Sequence, residues 1–115
     1  ADDTFLAPDE VQTALHGGPM FRHFDRCMIT NPRYQRFVLD AAEAAGLRVQ
    51  ESVREGGGTD GGPVHLMDVP CVVSGVPCRY IHTATSICAI DDVIESARVA
   101  VEVISRMTPE VICGF

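Results

Sequence analysis

The chain contains no lysine and no tryptophan, and only two tyrosines. Its nine basic residues are all arginine, against sixteen acidic ones, for a net charge of −7. An acidic chain without a basic stripe matches a phosphate backbone poorly, which argues against nucleic acid as a partner. Such acidity serves solubility, or draws in cationic substrates and metal ions. No apolar run is long enough to cross a bilayer, so no membrane partner is expected. The opening residues, "ADDTFLAPDE", lack the positive flank of a secretory signal. The chain opens on Ala rather than Met, as a processed protein or an excerpt of a longer one would.

No two cysteines stand in a C-x-x-C arrangement, which disfavours a zinc-cysteine site. Cys27, Cys71, Cys78, Cys88 and Cys113 are odd in number and read as reduced, mostly buried thiols of a cytoplasmic protein. Cys71 and Cys78 lie in an apolar stretch, where cysteine acts as a small hydrophobe.

What is present is a globular composition. With 46% apolar residues in 115, one domain with a modest core is expected over residues 1–115. Residues 1–7 read as a strand, 8–19 as a loop, and 20–24 as a strand. "NPRYQRFVLDAAEAAG", residues 31–46, has Asn31 at the N-cap, Pro32 in the first turn and Gly46 at C′. Tyr34, Phe37, Val38, Ala41, Ala42 and Ala45 form one apolar helical stripe. Residues 47–53 read as a strand with Leu47, Val49 and Val53 on one face. A glycine-rich loop covers 54–62, and a short helical segment 63–67. Residues 69–77, apolar on both sides, read as a central strand covered on both faces. A second helix is expected from about Asp91 or Asp92 to Met107, with Val93, Ile94, Ala97, Ala100, Val101 and Ile104 as its apolar face. Strands alternating with helices predict an α/β fold: a layered, mostly parallel or mixed sheet flanked by helices. Ligands of such sheets bind beyond the carboxyl ends of strands.

Several groups there carry chemistry. "GGGTDGG" lacks the lysine of a P-loop and the spacing of a dinucleotide fingerprint, so its plainer reading is a turn. Asp60 is placed to cap the helix that follows. His16 and His23 read as surface groups, and His65 as a packed histidine. His82 follows Arg79 and Tyr80 where a strand ends, and serves equally as a metal ligand, a general base or filler. Asp2 and Asp3 alternate across a strand, so only one can enter a given site. A carboxylate and an imidazole suit a borderline metal such as zinc or cobalt, but two ligands are too few. Cys78 with His82 is a weaker nucleophile pair, and Ser74 lacks the G-x-S-x-G elbow.

Taken in order, "ADDTF", "GGP", "NP" opening a helix, "GGTDGGPVHL", "VPCVVSGVPCRYIH" and "DDV" opening the last helix resemble the carboxyl-terminal part of the glutamyl-aminopeptidase family. That family includes the tetrahedral aminopeptidases, and some members carry an endoglucanase label. The resemblance implies a metallopeptidase catalytic domain with two divalent metals, zinc or cobalt, acting on a peptide substrate, and a homo-oligomer. It puts Asp2 at the metal-ligand aspartate of a D-x-T segment, with Asp3 as fallback, and His82 at the histidine of R-Y-x-H, on different ions. Thr59 and Asp60 match the family's G-T-D, and Arg79 and Tyr80 its R-Y, all beside the substrate.

The departures are equally specific. The family's bridging aspartate, first histidine ligand, general-base glutamate and neighbouring glutamate ligand precede its D-x-T segment and have no counterpart here. Thr83 replaces the usual Ser, and the D-x-P-G of the early loop is missing. The expectation is a carboxyl-terminal fragment or degenerate relative of such an aminopeptidase, inactive alone and with no catalytic residue of its own. Two alternatives stand open: a non-catalytic α/β binding or assembly module, and a glucanase by label only.

Overall fold

The computed structural model describes residues 6–115. Six strands and four helices follow in the order β1(Met20–Asp25), β2(Met28–Ile29), α1(Pro32–Ala44), β3(Gln50–Val53), α2(Gly61–Leu66), β4(Val73–Gly75), β5(Cys78–Arg79), β6(Ile87–Cys88), α3(Ile90–Arg106) and α4(Pro109–Ile112). The sheet is mixed, and the α/β expectation holds. β1 is its centre: β3 pairs parallel along one edge, while β2 and β4 pair antiparallel along the other. β5 and β6 form a separate two-stranded hairpin.

Local signals set α1. The Asn31 side chain accepts from the amides of Arg33 and Tyr34, Pro32 fills the first turn, and Gly46 takes φ +66° just past the end. The expected stripe faces inward, with Val38, Ala41 and Ala42 meeting Phe21 of β1 and Val99 and Val103 of α3. α4 returns the chain to α1. Phe115 stacks on Tyr34 at 4.6 Å between ring centroids, and its carbonyl accepts from Asn31 Nδ2 at 3.1 Å.

Four expectations are corrected. Residues 69–77 are not the central strand: β4 has three residues and pairs only with β1 among the described residues. Pro70 and Pro77 bracket it, and neither offers an amide to a ladder. β1 takes the centre although it carries Arg22, His23 and Asp25, because those groups find partners: Arg22 with Asp25, His23 with Glu51. The polar face of β3 is covered instead of exposed. Gln50 reaches into the loop before β1, accepting from the Ala14 amide at 2.8 Å and donating to the Ala14 and Gly18 carbonyls. Ser52 is consequently 2% exposed and Val53 47%, beside a bulge that inserts His23 into β1.

α3 is the third correction. The stripe expected to face the core, from Val93 to Ile104, faces outward, with Val101 65% and Ile104 71% exposed. The buried side is Asp92, Val99 and Val103. The helix is apolar on two faces, and only one is covered here. Cysteine burial is the fourth: Cys27, Cys88 and Cys113 are exposed, and Cys71 and Cys78 half-buried. His65 is likewise exposed rather than packed. The strand expected over 1–7 falls mainly outside the described residues, and Leu6 and Ala7 are not in a strand. No helix among the described residues is long and apolar enough to cross a membrane.

Asp92 locks the loop before β1 to the start of α3. Its carboxylate, fully buried, accepts from the His16 and Gly18 amides at 2.8 Å each. Gly18 sits at φ +82°, where a Cβ would meet the Arg48 carbonyl at 2.1 Å, so no other residue fits. Asp92→Ala leaves both amides without a partner and should cost about 1–3 kcal/mol of unfolding free energy. A urea midpoint unchanged from that of the parent would show that the loop does not need this anchor.

Candidate functional site

The site grows from the end of β1. Asp25 is buried just past the bulge and accepts from the Cys27 and Met28 amides at 2.8 and 3.1 Å. Its other oxygen accepts from the Thr59 hydroxyl at 2.8 Å and lies 3.8 Å from Arg22 Nη1. Burial by itself would push this carboxyl up; the amides, the Thr59 hydroxyl and the Arg22 charge outweigh it and hold the carboxyl below the usual range. The β1–β2 turn is thereby tied to the glycine-rich segment. Glycine is needed for close approach here: a Cβ at Gly62 would meet Cys27 Cβ at 2.7 Å, and one at Gly61 would meet Met28 Sδ at 2.4 Å. Gly61 and Gly62 serve packing, and Gly57, at φ +78°, takes the left-handed backbone that the turn reading expects.

Holding the glycine segment there opens a cleft of about 310 Å³ lined by Arg22, Arg54, Gly56, Gly57, Cys78 and His82, among others. His82 comes from the β5–β6 hairpin. Tyr80 and His82 both take left-handed backbone, φ +59° and +63°, uncommon for any residue with a Cβ and a mark of functional sites. The Thr83 hydroxyl closes this loop, 2.6 Å from the Tyr80 carbonyl and 2.8 Å from that of Thr85. A serine would supply the same hydroxyl, so Thr83 keeps what the loop needs.

The structure brings some of the expected residues together and separates others. Arg79, Tyr80 and His82 share one hairpin, half-buried, exposed and exposed respectively. Thr59 is engaged by Asp25. Asp60 occupies the N-cap position of α2 but makes no side-chain cap bond, contrary to its expected capping role, because its backbone is already helical (φ −64°, ψ −10°). Thr59 and Asp60 follow the glycines that line the cleft but do not line it themselves. Asp2 and Asp3 lie outside the described residues. Sequence reasoning missed Arg22 and Arg54. Arg22 sits in the central strand with its Nε buried and without a hydrogen-bond partner among the described residues. Only the all-arginine composition hinted at such sites.

A nucleophilic pairing of Cys78 with His82 is not supported, since burial, followed by the neighbouring Cys88, pushes the Cys78 thiol up and keeps it protonated. A metal centre needs more than the described residues hold. His82 is a suitable donor for zinc or cobalt, yet among the described residues no three His, Cys, Asp or Glu side chains cluster around a point that could hold an ion. One imidazole is too small a donor set to hold a metal pair by itself.

A mixed α/β unit carrying a strained R-Y-x-H loop over a glycine-lined cleft belongs to a hydrolase-like fold, and solved structures agree. The TET aminopeptidase from the marine sediment archaeon Thaumarchaeota archaeon SCGC AB-539-E09 superposes with a TM-score of 0.92 at 34% identity, over 99% of this chain and 33% of that one. Aminopeptidase APDkam598 from the archaeon Desulfurococcus kamchatkensis superposes with a TM-score of 0.89 at 28% identity, over 95% of this chain and 32% of that one. Glutamyl aminopeptidase of Lactococcus lactis subsp. cremoris (strain MG1363) is 34% identical over 112 residues, 96% of this chain and 30% of that protein. A sequence model of the M42 glutamyl aminopeptidases matches residues 1–99, and the chain belongs to that family. It spans about a third of the length of these relatives.

The Asp25 knot makes a pH prediction. A carboxyl with a lowered folded value contributes stability that is present above the ordinary aspartate value of about 3.9 and lost as pH falls through the folded value. Asp25→Asn should therefore unfold at lower urea than the parent at pH 7, and the gap should close as pH drops below about 3.9. A gap that stays constant across this range would show that the charge of Asp25 contributes nothing. Thr59→Val should cost about 1 kcal/mol at neutral pH.

Proposed function

We propose that this chain is the carboxyl-terminal portion of the catalytic domain of a two-metal aminopeptidase, one that removes amino-terminal residues from peptides. Alone it is inactive. The observation that supports this most is the placement of His82: two left-handed residues hold it over a cleft lined by arginines and glycine backbone. In this reading Asp2, or Asp3 in its place, and His82 ligate different ions of a zinc or cobalt pair. Thr59, Asp60, Arg79 and Tyr80 stand beside the bound peptide, with Thr59 acting through the Asp25 knot that sets the glycine segment. When bound, such a pair supplies a polarised carbonyl and a water of lowered pKa. The acidic chain works in the cytoplasm, without nucleic acid or membrane as partner.

The outward apolar face of α3 supports the reading as a portion. Ile90, Val101 and Ile104 are 77%, 65% and 71% exposed, more contiguous apolar surface than a free helix normally shows. Since the chain covers about a third of its relatives' length, the remainder of the catalytic domain is the natural cover. The same face favours a second reading, a non-catalytic assembly module that buries it against another copy.

Activity tests what the two readings share, and metal binding separates them. With zinc or cobalt added, the isolated chain should not hydrolyse aminoacyl-p-nitroanilides, and robust turnover would overturn the inactivity. Whatever metal the chain retains should be held about tenfold or more weakly after His82→Ala. Binding unchanged by both Asp2→Ala and His82→Ala would remove the ligand assignment and leave the assembly module.

A further inference from the structure

The β5–β6 hairpin carries two free thiols, one of which, Cys78, also lines the cleft. Cys78 and Cys88 are Cα partners in its antiparallel register. Directly opposed residues of an antiparallel pair lie about 4.5–5.5 Å apart at Cα. That falls within the span of about 4.4–6.8 Å found across disulfides. The Cys78 thiol donates to the Val76 carbonyl at 3.3 Å, a weak bond that closing a disulfide gives up. Cys88 is exposed and Cys78 half-buried, so one sulfur is open to a reagent and the other stands behind it. Between them runs the loop with Tyr80, His82 and Thr83.

We propose that Cys78 and Cys88 form a reversible disulfide across the stem of this loop, so that thiol–disulfide exchange sets how firmly the loop is held. The oxidant is a small-molecule disulfide such as oxidised glutathione. The Cys88 thiolate attacks it, forming a mixed disulfide and expelling one glutathione thiolate. The Cys78 thiolate then attacks the Cys88 sulfur, closes the protein disulfide and expels the second. Two electrons pass to the glutathione, and the two protons lost by the protein thiols end on the released thiols or in solvent. Cys88 is exposed and meets the reagent first; Cys78, half-buried beside it in the register, is left for the second attack. In a reducing compartment such bonds are transient and sensing rather than structural. The bond itself does not rest on the metal reading, and its failure would show in masses rather than in metal content.

The test titrates the full chain with glutathione redox buffers, traps thiols by alkylation and maps the peptides. The folded chain should yield a Cys78–Cys88 linked peptide, lower in mass by about 2 Da for the two hydrogens lost. Amides of residues 80–86 should exchange several-fold more slowly in the oxidised form. In Cys78→Ser, Cys88 should persist as its glutathione adduct; in Cys88→Ser, Cys78 should remain reduced. Separate adducts on both cysteines, or links to Cys27, Cys71 or Cys113 in the folded chain, would overturn the bond. So would an equal Cys78–Cys88 yield from urea-unfolded chain, because the fold would then contribute nothing. Equal exchange in the two redox forms would overturn the clamp.

Discussion

The buried carboxylate of Asp25 is the constraint on which the rest turns. It sits at the end of the central strand, takes two amides from the following turn and a hydroxyl from Thr59, and so binds two segments far apart in the chain. A buried charge is tolerated only when its lone pairs are filled, and here they are filled by groups that must be in place for the cleft to exist. Without it the glycine segment has no reason to lie against Cys27 and Met28. The roof of the cleft and the start of α2 both depend on that approach.

The other wall is supplied by a short hairpin. Strands of two residues have little stability of their own. The β5–β6 loop is held instead by its Thr83 hydroxyl and by the short backbone ladder at its stem. It spends backbone strain at Tyr80 and His82 to aim an imidazole at the cleft. A weakly held loop is the sort of element whose order a local bond can change.

The helix behind the sheet presents two apolar faces. α3 packs Val99 and Val103 against α1 and β1, and leaves a second apolar face open. Burying apolar area is the main favourable term in folding, so an open apolar face on a helix is surface from which contact with another body would gain. The chain belongs to the M42 family over residues 1–99 and spans about a third of the relatives' length.

The sequence alone determined what depends on neighbours along the chain: the capped, striped helix α1, the extent of α3 to within a residue or two, the short α2 and the α/β class. The order of its motifs was enough to indicate the family. Only the tertiary structure decided which strand is central, which face of α3 is buried and which arginines meet the glycines. Those choices hang on contacts between distant residues, such as Asp25 with Thr59 and Gln50 with Ala14. A polar residue satisfied by a remote partner looks, in sequence, the same as one satisfied by water. The stripe of α3 misled because periodicity reports that a face is apolar, while burial depends on what else is present to cover it.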